Sequence, residues 1–225
     1  MKEQDYLIVD LGLPSGIKWA DRNVGAETPQ DYGAYFSWGN VDGHTVDENC
    51  NVTDGYSFVS DTYTTTSGGQ YTGSELDAEH DAATVNMGSD WRMPTNAETE
   101  ELVEHTDHYY IDMDGNIVAG PFDYGTNWSD KGLDVSKKLR SICFVKKGEV
   151  FDYDNRSNFI ELPFAGFCYD SLLGFDGTCC SVCSCSIHES NIEKACYLNF
   201  DCLGCIYGDY RHDRFVGFSV RGVIF

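Results

Sequence analysis

The sequence predicts an α+β fold with mixed and antiparallel sheets, one or two short helices and long loops. Three observations lead to this prediction. Glycine provides 23 and tyrosine 14 of the 225 residues, a composition that favours turns and strands. Apolar runs are short, and several segments alternate apolar and polar residues as half-buried strands do. Helical patterns are scarce, while a hydrophobic content of 41% is ample for a core.

The N-terminal region begins with a strand pattern. Residues 6–13 alternate apolar and polar side chains, and the Pro-Ser-Gly sequence at 14–16 predicts a turn. An extended element is expected to resume at residues 17–20. Residues 41–75 are rich in Gly, Ser, Thr and Asp, which indicates a long surface excursion.

Two helices are predicted. A short one is expected over residues 79–87. A stronger signal starts at Thr95, which follows Pro94 and stands three positions before Glu98. This spacing is typical of a capping box, in which the hydroxyl and the carboxylate each accept a hydrogen bond from a backbone N–H of the first turn. We expect this helix to run to His105.

The C-terminal half is predicted to be mostly strands. Residues 111–118 are expected to form a hairpin around a glycine turn, and residues 143–151 a second one. Residues 158–164 form a further strand. The final segment, 215–225, is expected to pair in a sheet near the N-terminal strand. No repeat of solenoid spacing is present, so one domain spanning residues 1–225 is predicted.

Charge restricts the classes of partner. The formal net charge is −22 and the pI about 4.3, which argues against nucleic acid, because phosphates are bound by clustered Lys and Arg. Anionic membrane surfaces are disfavoured for the same reason. The first five residues lack the apolar core of a Sec signal peptide, and no apolar run approaches 18 residues. We therefore expect no membrane insertion. If the protein acts outside the cell, we expect it to leave by another route, such as inside a released virus particle.

The most informative feature is a bias in residues 168–215. This window holds eight of the ten cysteines, no Gln, Met or Trp, one Lys and two Glu. The depleted Lys and Glu residues all fall between Glu189 and Lys194. These five residue types share no size, charge or polarity, so a fold has no physical reason to exclude them together. They do share one property of the genetic code, since none has a codon ending in C, which indicates that the bias arises in the DNA.

Three groups of residues resemble a known family. The first comprises Val-Asp-Leu-Gly-Leu-Pro-Ser-Gly-Ile-Lys-Trp-Ala at 9–20, Asn-Val-Gly-Ala at 23–26 and Tyr-Gly-Ala-Tyr-Phe-Ser-Trp-Gly at 32–39. The second lies at 81–88 and 91–95, and the third at 162–167, 188–191 and 217–221. Together they resemble the Fibrobacter succinogenes major paralogous domain, found in gut Bacteroidetes and their phages. The resemblance implies a C-type lectin-like fold related to formylglycine-generating enzymes, although no motif here carries over that catalytic activity.

The same fold carries the variable proteins of diversity-generating retroelements. In those systems a reverse transcriptase misreads template adenines, so AAC codons become NNC codons, which never encode Lys, Glu, Gln, Met or Trp. The resemblance thus implies a scaffold at 1–167, a variable region at 168–215 and a fixed C-terminal strand at 216–225. Glu189–Lys194 would be a fixed island. The chain departs from many relatives in reading Arg221-Gly222-Val223 where they read Arg-Pro-Val.

The resemblance implies a binding protein and not an enzyme. We expect a hypervariable ligand- or receptor-binding protein, without a cofactor or metal, displayed on a phage tail tip or a cell surface. Its expected partners are a host-surface protein or glycan, together with tail-fibre or other virion proteins. An exposed aromatic-rich face is expected to include Tyr169, Phe175, Val182 and Phe215. The complete set of expected ligand-binding residues is Cys168, Tyr169, Asp170, Leu172, Gly174, Phe175, Cys179, Cys180, Ser181, Val182, Cys183, Cys202, Leu203, Cys205, Ile206, Tyr207, Asp209, Tyr210, His212, Asp213 and Phe215.

Two alternative functions stay open. One is an invariant adhesion or carbohydrate-contact module of the same family. The other is a zinc-stabilised domain, because Cys180-x-x-Cys183 and Cys202-x-x-Cys205 have the spacing of a zinc ribbon. Free thiols are nevertheless expected, since the chain has no signal for an oxidising compartment.

Two further motifs have plain interpretations. Asp112-x-Asp114-Gly115-Asn116 resembles the start of a calcium loop but lacks the later Glu, so a hairpin turn is expected. A catalytic Cys/His pair could be drawn from the cysteines with His188 or His212, but a hypervariable loop does not fix the geometry that catalysis needs.

Overall fold

The computed structural model of the protein describes residues 5–59, 74–122, 138–201 and 206–225. Within these ranges the chain is mostly β-sheet with two short helices, which confirms the α+β class. The helices are α1 (Ala82–Met87) and α2 (Asn96–Glu104). The strands are β1 (Ile8–Val9), β2 (Lys18–Ala20), β3 (Tyr35–Phe36), β4 (Thr106–Asp112), β5 (Ile117–Phe122), β6 (Leu139–Lys146), β7 (Phe159–Pro163), β8 (Phe167–Tyr169), β9 (Leu172–Gly174), β10 (Cys179–Ile187), β11 (Lys194–Asp201), β12 (Ile206–Asp213), β13 (Phe218–Ser219) and β14 (Val223–Ile224).

The two ends of the chain meet in one sheet of order β1-β2-β14. Val9 and Val223 both pair with Trp19, each in antiparallel register, and the Trp19 side chain is fully buried. The expectation that the C-terminal segment pairs near the N-terminal strand is therefore confirmed.

The second sheet is antiparallel, with order β5-β4-β6-β7. The hairpin expected at 111–118 is present, and its turn is closed by Asp112 Oδ1, which accepts hydrogen bonds from the N–H groups of Asp114 at 3.0 Å and Asn116 at 2.8 Å. The second expected hairpin is only half right. The chain turns after Lys146, but the returning strand begins only at Phe159. Phe151 lies in the intervening loop and packs its ring edge-on against Phe159 at 5.0 Å.

Both helices begin at side-chain caps. Thr95 Oγ1 accepts from Glu98 N–H at 3.2 Å, and Glu98 Oε2 accepts from Thr95 N–H at 2.8 Å, so the expected capping box is confirmed. Helix α1 starts three residues later than expected. Asp81 is its N-cap and accepts from Thr84 N–H at 2.9 Å.

The third sheet has order β12-β11-β10-β13-β3 and carries most of the compositionally biased window. Its central strand β10 is buried on both faces. Cys180 and Val182 belong to one hydrophobic cluster, and Cys183 and Cys185 belong to another. A strand covered on both sides has no exposed polar face, which explains its continuous small and apolar sequence.

The segment expected as a surface excursion is partly internal. Val52 and Phe58 are buried, and Phe58 pairs through its backbone with Asp170. Residues 60–73 of that segment lie outside the described residues. Where it is described, the segment packs beneath β8 and β9 and supports them.

In the described parts of the chain, none of the helices has the length and apolar character that crossing a membrane requires.

Candidate functional site

Among the window's side chains that the structure describes, the most exposed apolar ones lie on the β8–β9 hairpin and directly after it. Tyr169 is 54% exposed, its cross-strand partner Leu172 is 54% exposed, and Phe175, just after β9, is 62% exposed. We call these three residues, with the adjoining His212 and Phe215, the hairpin patch. Large apolar side chains that stay in solvent together are typical of a binding surface.

Backbone hydrogen bonds hold this hairpin from two sides. Phe58 N–H donates to Asp170 O at 2.7 Å, and Asp170 N–H donates back to Phe58 O at 3.1 Å. On the other side, Cys168 and Gly217 exchange bonds of 2.8 and 2.9 Å. Because main-chain groups make these contacts, they can persist when the displayed side chains change; Ser57 Oγ adds one side-chain contact by donating to Asp170 Oδ1 at 2.5 Å.

Glycine is required where the hairpin meets its support. A Cβ atom on Gly217 would lie 2.4 Å from the ring of Phe58, and one on Gly166 would lie 2.1 Å from Gly174 O. Gly166 also has φ of +62°, which glycine adopts without strain. The scaffold thus approaches the hairpin so closely that these two glycines cannot vary.

Two displayed residues have unusual backbone conformations. Asp170 has φ of +56° and Phe175 has φ of +62°, both in the left-handed region. A bulky residue such as phenylalanine is rarely found there, whereas glycine and asparagine are much better tolerated. Strain of this kind in an exposed loop is typical of a functional site and costs stability.

Ring contacts connect the hairpin with the end of β12. Phe175 stacks on Phe167 at 4.9 Å, and Phe167 lies 5.3 Å from the His212 ring. Tyr169 lies 5.7 Å from Phe215. The two ends of the biased window therefore form one continuous surface, and burial lowers the pKa of His212 below its ordinary value, which favours the neutral imidazole near neutral pH.

The structure divides the expected ligand-binding residues into three groups. The exposed members are Tyr169, Asp170, Leu172 and Phe175, while Gly174, His212, Asp213 and Phe215 are half-buried. Cys202, Leu203 and Cys205 lie outside the described residues. Ile206, Tyr207, Asp209 and Tyr210 lie on β12, whose backbone pairs with β11, and their side chains are outside the description.

The third group corrects the prediction. Val182 was expected on the exposed face but is only 1% exposed. The physical reason is that β10 lies between two hydrophobic clusters, and Val182 belongs to one of them. The other expected contact residues that the structure buries are Cys168, Cys179, Cys180, Ser181 and Cys183.

Three of the buried polar groups bond one another at the base of the hairpin. Ser181 Oγ donates to Asn199 Oδ1 at 2.6 Å, and Cys179 Sγ donates to the same oxygen at 2.9 Å. These side chains are satisfied internally, so their contribution to binding would be indirect, through the strands that carry the patch.

The positions of Cys180 and Cys183 argue against the zinc alternative. The two residues face opposite hydrophobic clusters, since side chains three apart on a strand point to opposite sides. In this arrangement the two thiols do not converge on one ion, which argues against a site built from both Cys-x-x-Cys pairs; Cys202 and Cys205 of the second pair lie outside the described residues. No disulfide joins the eight cysteines of the described ranges, and these ranges contain no group of three metal-binding side chains.

Burial also makes these thiols unreactive. It raises the pKa of Cys168 and of Cys185 to about 12, and the same desolvation raises the pKa values of Cys180 and Cys183 well above the ordinary value of a thiol. Thiolate is the nucleophilic form, so these cysteines are poor candidates for catalysis at neutral pH.

Sequence reasoning missed Phe167, which joins Phe175 to His212. It lies one position before the biased window, so a boundary drawn from composition excludes it. It also missed the support from Phe58, because only tertiary structure brings that residue to Asp170.

Comparison of the chain with protein-family models, with curated proteins and with solved structures found no match in any of the three.

Proposed function

We propose that the protein is a hypervariable ligand-binding protein with a C-type lectin-like fold, diversified by a retroelement over residues 168–215. The observation that carries the proposal is the hairpin patch. Its members come from both ends of the biased window, are joined by ring contacts, and leave large apolar surface in solvent. A patch of this composition is suited to recognition of a host-surface protein or glycan.

The support of the hairpin favours diversification. Side chains can be exchanged without loss of fold only where the backbone is held by other groups, and here Phe58, Cys168 and Gly217 hold it through main-chain bonds. The exposed positions of the window are thus the ones where substitution costs least.

The left-handed residues add an independent argument. Asparagine is the residue that an unmutated AAC codon encodes, and it is among the few non-glycine residues that tolerate positive φ. Asp170 and Phe175 occupy such positions. The conformation at position 175 suits asparagine, the residue of the unmutated codon, but the chain carries phenylalanine there. Such a mismatch is expected when adenines of a template AAC codon have been replaced.

The lectin-like part of the proposal is supported by how the family-like segments meet. Val24 N–H donates to Val220 O at 2.9 Å, and Ala20 N–H donates to Gly222 O at 2.9 Å. The segments that resemble the family at the two ends of the chain are therefore in direct contact. Display on a phage tail tip, alongside tail-fibre or other virion proteins, or on a cell surface, is the setting we propose.

The test is the DNA around the gene. We expect a nearby reverse-transcriptase gene and an imperfect copy of the segment encoding residues 168–215, differing from it only where the copy has adenine. A locus without such a copy would contradict diversification and favour the alternative of an invariant adhesion or carbohydrate-contact module.

A further inference from the structure

A polar cleft lies between the start of α2 and the end of β10, and it shares no residue with the hairpin patch. Its volume is about 550 Å³, within the usual range of small-molecule sites. Its lining includes Glu75, Asn96, Glu100, Ser186, His188 and Glu189.

The walls of the cleft are fixed to one another. Asn96 N–H donates to Ser186 Oγ at 3.0 Å, which attaches the first turn of α2 to β10. Residues 74 and 75 form the third wall, and Ile187 N–H attaches them to β10 by donating to Ser74 O at 2.9 Å. A cleft held by such bonds keeps its shape before a ligand arrives, and this lowers the entropic cost of binding.

Two buried polar atoms in this lining have no hydrogen-bond partner among the described residues. One is Nδ1 of His188, a residue that is only 8% exposed. The other is Oδ1 of Asn96. The Asn96 amide nitrogen donates to Glu100 Oε1 at 2.9 Å, which leaves Oδ1 as a free acceptor. Buried polar atoms are nearly always paired, so these two need partners from solvent or from a ligand, and both line the same cleft, where a bound molecule could reach them.

The charges of the lining define the ligand. Glu75, Glu100 and Glu189 contribute three carboxylates against the single guanidinium of Arg211. Free N–H groups at the start of a helix can attract an anion, but at the start of α2 the Glu98 N–H is already bonded to Thr95 Oγ1. It therefore does not offset the negative charge of the carboxylates. The cleft therefore favours a ligand with positive charge and several hydrogen-bond donors.

We propose that this cleft is a second binding site that takes a small molecule with a primary ammonium group. The ammonium lies among the carboxylates and donates to Asn96 Oδ1, and a further polar group of the ligand bonds His188 Nδ1. The site is lined by residues 74–75, 95–97, 100 and 186–190 with Cys196 and Arg211. It shares no residue with the hairpin patch, so binding at the cleft is tested separately from binding at the patch, although residues 186–190, Cys196 and Arg211 belong to the biased window.

The experiment is calorimetric titration of the full chain with glucosamine, putrescine and methylammonium, each compared with its neutral counterpart glucose, butanediol or methanol at equal ionic strength. We expect at least one amine to bind with a Kd roughly tenfold or more below that of its counterpart, the gain from one charge-assisted hydrogen bond. In protein labelled with ¹⁵N-histidine, the His188 Nδ1 signal should shift with the same amine.

Glu100→Gln supplies the site variant and Glu104→Gln the matched control, since both residues are exposed on the same helix and only Glu100 lines the cleft. We expect Glu100→Gln to weaken amine binding roughly tenfold and Glu104→Gln to leave it within about twofold. The proposal is overturned if none of the three amines binds better than its neutral counterpart, or if both substitutions weaken binding equally.

Discussion

Arg221 Nε donates to Asn23 Oδ1 at 2.9 Å, and this bond joins residues 198 positions apart. The same guanidinium donates to Ala20 O at 2.9 Å and to Glu161 O at 2.7 Å. Arg221 is fully buried, so one side chain ties the C-terminal segment to the N-terminal region and to β7. Burial lowers the pKa of Arg221 to about 10, yet the group stays protonated at neutral pH.

Replacing Arg221 should therefore damage the whole fold. We expect Arg221→Met to lower the free energy of unfolding by about 3–5 kcal/mol, because three buried acceptors lose their charged donor. Denaturant unfolding measures this. The matched control is Arg211→Met at an exposed position, where we expect a loss below about 1 kcal/mol. Equal losses for the two variants would show that Arg221 does not tie these segments together.

The acid sensitivity of the fold should depend on Glu98. Burial alone would raise the pKa of Glu98, but hydrogen bonds from Arg92 and from Thr95 N–H outweigh it and hold the pKa below its ordinary value of 4.5. A carboxylate with a lowered pKa stabilises the fold fully above its unfolded value, and that contribution is lost as pH falls through the folded value.

The variant Glu98→Gln isolates this effect. At neutral pH we expect it to be less stable than the natural chain by about 1 kcal/mol. The difference should shrink as pH falls below 4.5, as measured by urea unfolding across a pH series. Glu104→Gln, exposed at the end of the same helix, should show no such trend. A difference that does not change with pH would contradict the role assigned to Glu98.

The backbone strain at Phe175 should lower the free energy of unfolding of the natural chain. Because its φ is +62°, replacement by glycine relieves backbone strain, and the exposed ring contributes little burial. We expect Phe175→Gly to leave the free energy of unfolding unchanged or raise it by up to about 1 kcal/mol. Tyr169→Gly, at a similarly exposed position on β8, should lower it by about 1 kcal/mol. Thermal and urea unfolding of both variants measure these changes. Comparable losses of unfolding free energy in the two variants would disprove strain at Phe175.

Thiol labelling should distinguish the cysteines by burial. With iodoacetamide at neutral pH, we expect Cys50, which is half-buried, to react in the native protein. Cys143, Cys180 and Cys183 should be protected until the protein unfolds, because burial raises their pKa and blocks access. Peptide mass spectrometry measures the pattern, and treatment with a zinc chelator should leave it unchanged. Rapid native labelling of Cys180 would contradict the central position of β10.

Local signals in the sequence predicted the elements that local interactions determine. The helix starting at Thr95 followed from its capping box, and the turn after Asp112 from its Asp114-Gly115 sequence. These two features depend on nearby residues, and the strand character of the chain's two ends on a simple alternation of apolar side chains. The pairing of the terminal strands was expected as well, although it joins opposite ends of the chain.

The candidate site was predicted only in part, because burial depends on tertiary neighbours. Tyr169 and Phe175 were expected to be exposed and are. Val182 was placed wrongly, because a strand covered on both faces shows no alternation that would reveal its surroundings. The support from Phe58 required a contact across more than a hundred residues, which no local pattern encodes.

The most direct test of the central claim is deep sequencing of the 3′ end of this gene from its native population. We expect substitutions to concentrate in codons for residues 168–215, most of all at the exposed positions 169, 170, 172 and 175. Codons 189–194 and 217–225 should stay fixed. If the codons of the window, including those for its cysteines, are as invariant as the rest of the gene, the protein is not a diversified binder.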